Sequence, residues 1–366
     1  MTMKAADAFS PTYATARQKF LQACVAAGLT VETHPHPLKG SQGEDLAMDV
    51  AYDGSPDATR RLVISSACHG VEGHCGSGVQ VFALQDAAWR AQARAAGVGV
   101  LYVHALNPHG FSFSRRVTHE NVDLNRNFID FTQPLPVNEG YTELHALLLP
   151  EAWPPTADDK AALANWIDKH GMLAYQAAVT AGQYQFDDGL FFGGKAATWS
   201  NRTFRQVLRA HGQQAERLGW IDLHTGLGPN GLGERIFAGR DDPIAYARAN
   251  AWWGSAEAPV TSIYDGSSSA TLLTGLNWNA VAEECPQAEA TAIALEYGTL
   301  PMLDVMAALQ ADHWLHSHSD HATPDLADAI RVRMRDAFYT DTDTWKQRIV
   351  DQAREAMAQA VAGLSN

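Results

Sequence analysis

The chain has 366 residues, 46% of them hydrophobic, enough to bury a large core, and it carries a formal net charge of −14. That acidity excludes nucleic acid or an anionic membrane as the main partner, since both repel a negative surface. Four cysteines, Cys24, Cys68, Cys75 and Cys285, are too few for a disulfide scaffold at this length.

The first residues, Met1 to Asp7, lack the apolar core of a secretion signal, and no run approaches the roughly twenty apolar residues of a bilayer span. The expectation is a cytoplasmic protein. Residues 13–28 read as an amphipathic helix, followed by strands near 30–35 and 46–52. The apolar run Leu62–Cys68 reads as a strand that closes on His69-Gly-Val-Glu72. Gly70 and Gly73 flank the glutamate, so the chain should turn sharply at the strand's carboxyl end. Residues 78–96 then read as a helix and 98–103 as a strand, which is βαβ grammar.

Next come Asn107-Pro-His-Gly110, Ser114-Arg-Arg-Val117 and Asp123-Leu-Asn-Arg-Asn-Phe128. The segment 132–200 differs in character, with Pro134, Pro136, Pro150, Pro154 and Pro155, a helix at about 157–181 and the glycine-rich Asp187–Gly194. It reads as an insertion that roofs the site. The run Gly219–Leu223 closes on His224-Thr-Gly, and Thr291–Leu295 closes on Glu296-Tyr-Gly. Residues from about 301 onward read as mostly helical, interrupted by His313, His316, His318 and His321. Histidines at a helix end complement its dipole, and no neighbouring carboxylate completes a metal site there. Gly226-Leu-Gly-Pro-Asn-Gly231 lacks the lysine of a phosphate loop. Site candidates thus run from 69 to 296 without a Pro/Ser/Gly-rich linker, so one catalytic domain over 1–366 is expected.

A lone His-x-x-Glu is as readily a hydrogen-bonded turn. Four strands, however, deliver His69/Glu72, an Arg/Asn cluster, His224 and Glu296 to one edge, where open α/β sheets bind ligands. Two histidines and a glutamate bind Zn²⁺ and leave a position for water, the arrangement of a catalytic zinc. His69, Glu72 and His224 supply that set, with His74 as the alternative first ligand. Cys68 and Cys75 bracket the turn but read as small buried hydrophobes. Glu296, outside the ligand set, is the candidate base. Arg116 is the candidate for the oxyanion, with Arg115 behind it. Asn125-Arg126 can grip a substrate carboxylate; a structural pairing of Arg126 with Asp123 or Asp130 competes with that reading.

Taken in order, His69-Gly-Val-Glu72, Asn107-Pro-His-Gly110, Arg116, Asn125-Arg126, His224 and Glu296 resemble the zinc carboxypeptidases of the M14 type. Ser114–Val117 with Glu120–Phe128 is similar to the DUF2817 branch of that superfamily. The resemblance covers about 60 to 300. It implies a three-layer α/β/α fold with a mixed, mostly parallel eight-stranded sheet and one Zn²⁺ on His69, Glu72 and His224. It also implies Glu296 as general acid/base, Arg116 at the oxyanion and Asn125 and Arg126 on a substrate carboxylate. The interval from Glu72 to His224 exceeds that of the digestive enzymes, in keeping with the insertion. Those enzymes carry a mobile tyrosine, for which Tyr264 is the candidate. The expected activity is zinc-dependent cleavage of an amide bond beside a free carboxylate, on a peptide or on a small N-acyl amino acid. A silent binding protein would need neither Glu296 nor Arg116.

Overall fold

The computed structural model describes residues 4–366. Its strands are β1 (Val31–Lys39), β2 (Asp45–Asp53), β3 (Arg60–Ser65), β4 (Val98–His104), β5 (Arg217–Gly226), β6 (Gly233–Phe237) and β7 (Glu289–Gly298). They form one sheet in the order β1-β2-β4-β3-β5-β7-β6. β4, β3, β5 and β7 run parallel in the centre, while β1, β2 and β6 pair antiparallel at the edges.

The expectation of eight strands is therefore corrected to seven among the described residues. Between β4 and β5 the proline-rich segment folds into helices Glu139–Leu148, Ala157–His170 and Met172–Thr180 and adds only the isolated bridge Gln183–Phe192. The single helix expected over 157–181 breaks at Gly171, which adopts a φ of +91°. Likewise the helix expected over 78–96 is two, Gly73–Gln85 and Ala87–Ala95. Asp86 divides them, its side chain accepting from the Trp89 N–H to cap the second.

Alternation along the central strands sends one set of side chains to each face. Leu62, Ile64, Ile221, Leu223, Ile293 and Leu295 join the helices Tyr13–Ala26, Gly73–Gln85 and Asp343–Ser365 in one cluster. Val63, Leu218, Trp220, Ala292 and Ala294 face Trp199–Gly212 and Asn279–Glu284 in another. This is a three-layer α/β/α arrangement. A third apolar cluster joins the insertion helices to Met302–Ser317 and Pro324–Phe338, and it abuts the sheet's carboxyl edge through Val71. Among the described residues, no helix is long and apolar enough to cross a membrane.

Candidate metal centre

After β3 the chain turns through Ala67, at φ +56°, and a short 3₁₀ turn, Gly70–Glu72, leads into helix Gly73–Gln85. Glycine is required at 70 by close approach: a Cβ there would lie 2.1 Å from the Gly110 carbonyl carbon. At 73 a Cβ would meet the Phe111 ring at 2.4 Å. The Asn107-Pro-His-Gly segment, a short helix capped by the Asn107 side chain, is thereby pressed against the turn carrying His69 and Glu72.

β5 and β7 pair in parallel with His224 directly beside Glu296. Both therefore emerge on one face at the sheet's edge, next to the His69 turn. One candidate ligand atom from each of His69, Glu72 and His224 lies within 4.8 Å of the others, and all three residues are buried. His69 Nδ1 is 2.7 Å from Glu72 Oε1, and His224 Nδ1 is 2.9 Å from Glu72 Oε2. The outer nitrogens meet other carboxylates. His224 Nε2 is 2.8 Å from Asp222 Oδ2, and His69 Nε2 is 3.3 Å from Asp123 Oδ1.

Asp222 and Asp123 stand beside the outer nitrogens as outer carboxylates stand beside metal-bound histidines, although at His69 Nε2 the Arg116 guanidinium, at 2.7 Å, is nearer than Asp123. Sequence reasoning did not give them that role, although Asp222-Leu-His224 puts acid and imidazole on one face of a strand by simple alternation. Asp222 is itself fixed by Ser65 Oγ at 2.5 Å and Asn277 Nδ2 at 2.6 Å. Asp222→Asn should weaken metal affinity about 10- to 100-fold, the usual cost of an outer partner. Competition against a graded chelator measures this; unchanged affinity would show that Asp222 does not orient His224.

Burial alone would raise Glu72, but the two imidazoles outweigh it and hold the carboxyl at about 2. Burial likewise opposes charge on Asp123, yet Arg116 and Arg126 keep it well below the usual carboxylate range. His224 is held well above its usual value, Asp222 and Glu72 overcoming the effect of burial. Glu296 goes the other way. Burial and the nearby Glu72 push it up to about 7, against the pull of His224, the Leu227 N–H and Arg116. Four carboxyl groups, on Glu72, Asp123, Asp222 and Glu296, gather here with two guanidiniums, on Arg116 and Arg126, and the His224 imidazole. The donor set, two imidazole nitrogens and a carboxylate within 4.8 Å of one another and all buried, fits a divalent cation.

A second ligand group, Cys68, Asp222 and His224, is less suited. Burial pushes the Cys68 thiol well above its usual value, and thiolate is the ligating form. His74 is engaged elsewhere, near the Ser10 carbonyl and Ser114 Oγ. In the histidine-rich segment His313 packs on the Asp188 carbonyl, and no ligand group forms there among the described residues.

Arg116 donates from Nε to Asp123 at 2.9 Å, reaches His69 Nε2 at 2.7 Å and Glu72 at 3.5 Å, and lines the cavity. Arg115 turns away to Asp312 at 2.9 Å and does not line it. Arg126 is buried, and among the described residues its guanidinium donates only to carbonyls, those of Thr180 at 2.6 and 3.0 Å and Asn125 at 2.8 Å. It pairs with neither Asp123 nor Asp130. Asn125 Oδ1 accepts from the Asn277 N–H at 2.9 Å. Tyr264 sits apart: its hydroxyl donates to the Gly239 carbonyl at 2.8 Å, and the ring is not part of the cavity wall.

Two glycines from distant segments wedge Arg126. A Cβ on Gly275, at φ +75°, would meet the Arg126 carbonyl at 2.2 Å, and one on Gly182, at φ +100°, would meet its Cδ at 2.7 Å. Gly182→Ala should therefore cost about 1–3 kcal/mol of stability through backbone strain. Urea unfolding checks it; a neutral result would mean that the 182 loop relaxes freely.

The family profile described as "Protein of unknown function (DUF2817)" matches residues 9–352. The chain belongs to the DUF2817 family. No curated protein matches it significantly. Among solved structures, this DUF2817 protein is similar to thrombin-activatable fibrinolysis inhibitor, at 9% identity, 98% coverage of this chain, 77% of that one and a TM-score of 0.52. The bovine form in complex with tick carboxypeptidase inhibitor matches at 10% identity, 97% of each chain and a TM-score of 0.51. Carboxypeptidase A from Helicoverpa armigera matches at 13% identity over 95% of this chain and 73% of that one, with a TM-score of 0.45. At these identities the likeness shows the fold alone, which this DUF2817 chain shares with thrombin-activatable fibrinolysis inhibitor.

Proposed function

We propose that the chain is a zinc-dependent hydrolase that cleaves an amide bond next to a free carboxylate. The observation that carries this reading is that His69 and His224 both present Nδ1 to Glu72, with Glu296 in register beside His224. His69, Glu72 and His224 would hold one Zn²⁺. What zinc supplies when bound in such a set is Lewis acidity, toward a carbonyl and toward water.

The chain's own groups then have distinct tasks. Glu296 Oε1 accepts from the Leu227 N–H at 2.9 Å, which leaves Oε2 to take a proton from the attacking water. A carboxyl held at about 7 can later return that proton to the leaving nitrogen. Arg116 brings a guanidinium to the carbonyl oxygen as negative charge develops there. Asn125 and Arg126 hold the substrate carboxylate, since the Arg126 charge is buried without a carboxylate partner of its own.

About one Zn²⁺ per chain is expected on elemental analysis of the purified protein, from three protein donors and an open position. His224→Ala should lose most of it while retaining the native circular dichroism, because the sheet and its helices supply the core. Stoichiometric zinc in that variant would remove His224 from the ligand set. A silent binding protein on the same fold would bind ligand and metal but hydrolyse no amide.

A further inference from the structure

The cavity over the metal centre lies between two separate apolar clusters. One wall comes from the sheet and the loop before β7: Ile236, Ile263, Leu273, Leu276, Trp278 and Ala294. The other comes from the insertion and the C-terminal helices: Phe191, Met302, Val305, Met306, Leu309 and Phe338. The carboxylate anchor touches both walls: Asn125 accepts from the Asn277 N–H and the Phe128 N–H donates to the Gly275 carbonyl, while the Arg126 guanidinium donates to the Thr180 carbonyl and lies 5.8 Å from the centre of the Phe191 ring. The second wall meets the catalytic edge from the other cluster. The Phe338 carbonyl accepts from Thr225 Oγ1 at 2.7 Å, and a Cβ on Gly226 would lie 3.1 Å from the Phe338 ring and 3.6 Å from Glu296 Oε1.

A substrate held by its carboxylate at Asn125 and Arg126, with its amide beside Glu296, therefore lies between the two walls: its acyl group, beyond the amide, runs along the second wall from Phe338, and its own side chain meets the apolar lining of the first. Neither wall offers an ionisable side chain; the Trp278 indole N–H is the hydrogen-bonding group of the first wall, and Gln176 and Thr180, which also line the cavity, are engaged with the Ser269 and Gln176 carbonyls, so the stretch from Met302 to Leu309 presents apolar side chains alone. A longer peptide would bring a further N–H and C=O against Met302, Val305, Met306 and Leu309, where the side chains leave them unpaired, and burying them so is costly. An alkyl or aryl group gains from the same contact, and unbranched methionines adapt to its shape.

We propose that the substrate is an N-acyl amino acid apolar on both sides of the scissile bond. It carries a bulky apolar side chain beside the carboxylate, and an alkyl or aryl acyl group where a peptide would continue. This rests on the hydrolase reading above and names its substrate class. The reaction consumes one water: the amide C–N bond breaks, a C–O bond forms, and the products are a carboxylic acid and a free amino acid.

The test compares N-octanoyl-leucine, N-acetyl-leucine and glycyl-leucine on the zinc-loaded protein. Octanoyl-leucine should exceed acetyl-leucine in kcat/KM by tenfold or more, about the discrimination a few methylenes allow in an apolar pocket. Glycyl-leucine should be poorest. Met302→Gln and Met306→Gln keep length and helix preference while adding a polar group, and each should lower the octanoyl/acetyl ratio about tenfold. Calorimetric binding of the two acyl-leucines to Glu296→Gln reads the same preference without turnover. Hydrolysis with no octanoyl preference, or with glycyl-leucine best, overturns this inference and leaves the hydrolase reading standing. No hydrolysis with a clear binding preference supports the cavity assignment and overturns the hydrolase reading; neither hydrolysis nor preference overturns both.

Discussion

Replacing Glu296 by glutamine should lower kcat by roughly two to four powers of ten, the scale expected for loss of general base catalysis. The amide keeps the size of the side chain and can still accept from the Leu227 N–H, so β7 and its register with β5 have no reason to move. Glu296 stands outside the ligand set of His69, Glu72 and His224, so zinc content should stay near one per chain. The glutamine cannot take a proton at the atom where Oε2 stood. Stopped-time product assays on variant and wild type, with metal analysis of the same samples, measure both quantities together. Activity within a few-fold of wild type would mean that another group activates the water. Loss of metal along with activity would instead place Glu296 among the ligands.

What the sequence made legible was the chemistry that sits on strand ends. Leu62–Cys68, Gly219–Leu223 and Thr291–Leu295 are apolar runs closing on ionisable residues, and in a parallel sheet such ends share an edge whatever the intervening chain does. The residues that depend on long-range contact were not readable. Gly70 and Gly73 look like turn glycines, yet neither has a positive φ; they make room for Gly110 and Phe111, about forty residues on. Asp123 and Asp222 matter through the imidazoles they touch, and sequence spacing shows only the second of those contacts. Tyr264 sits in a loop whose path is set by Ser262, Ser267 and Glu234, and that path carries its hydroxyl to Gly239. The eight strands came from the resemblance alone, and the sheet has seven among the described residues; the segment after β4, read as an insertion, folds into helices that break at Gly171.

Arg126 offers a test of substrate class that does not depend on the metal. If its guanidinium and Asn125 hold a free carboxylate, amidating that carboxylate should cost the wild type on the order of 2–4 kcal/mol in transition-state binding. Arg126→Ala should cost a similar amount on the free acid and little more on the amide, because both changes remove one interaction. The buried position sharpens the expectation. Burial lowers the Arg126 pKa, and Asp123, already occupied by Arg116 and the Asn125 N–H, only partly offsets this. A ligand carboxylate would supply the missing opposite charge where little water competes for it. The four kcat/KM values form a cycle over enzyme and substrate, and strong non-additivity is the expected outcome. Simple addition of the two losses, or a wild-type preference for the amide, would make Arg126 a structural brace between the Thr180 and Asn125 carbonyls. The cleaved bond would then need no neighbouring carboxylate, and the chain would be an amidase of some other kind.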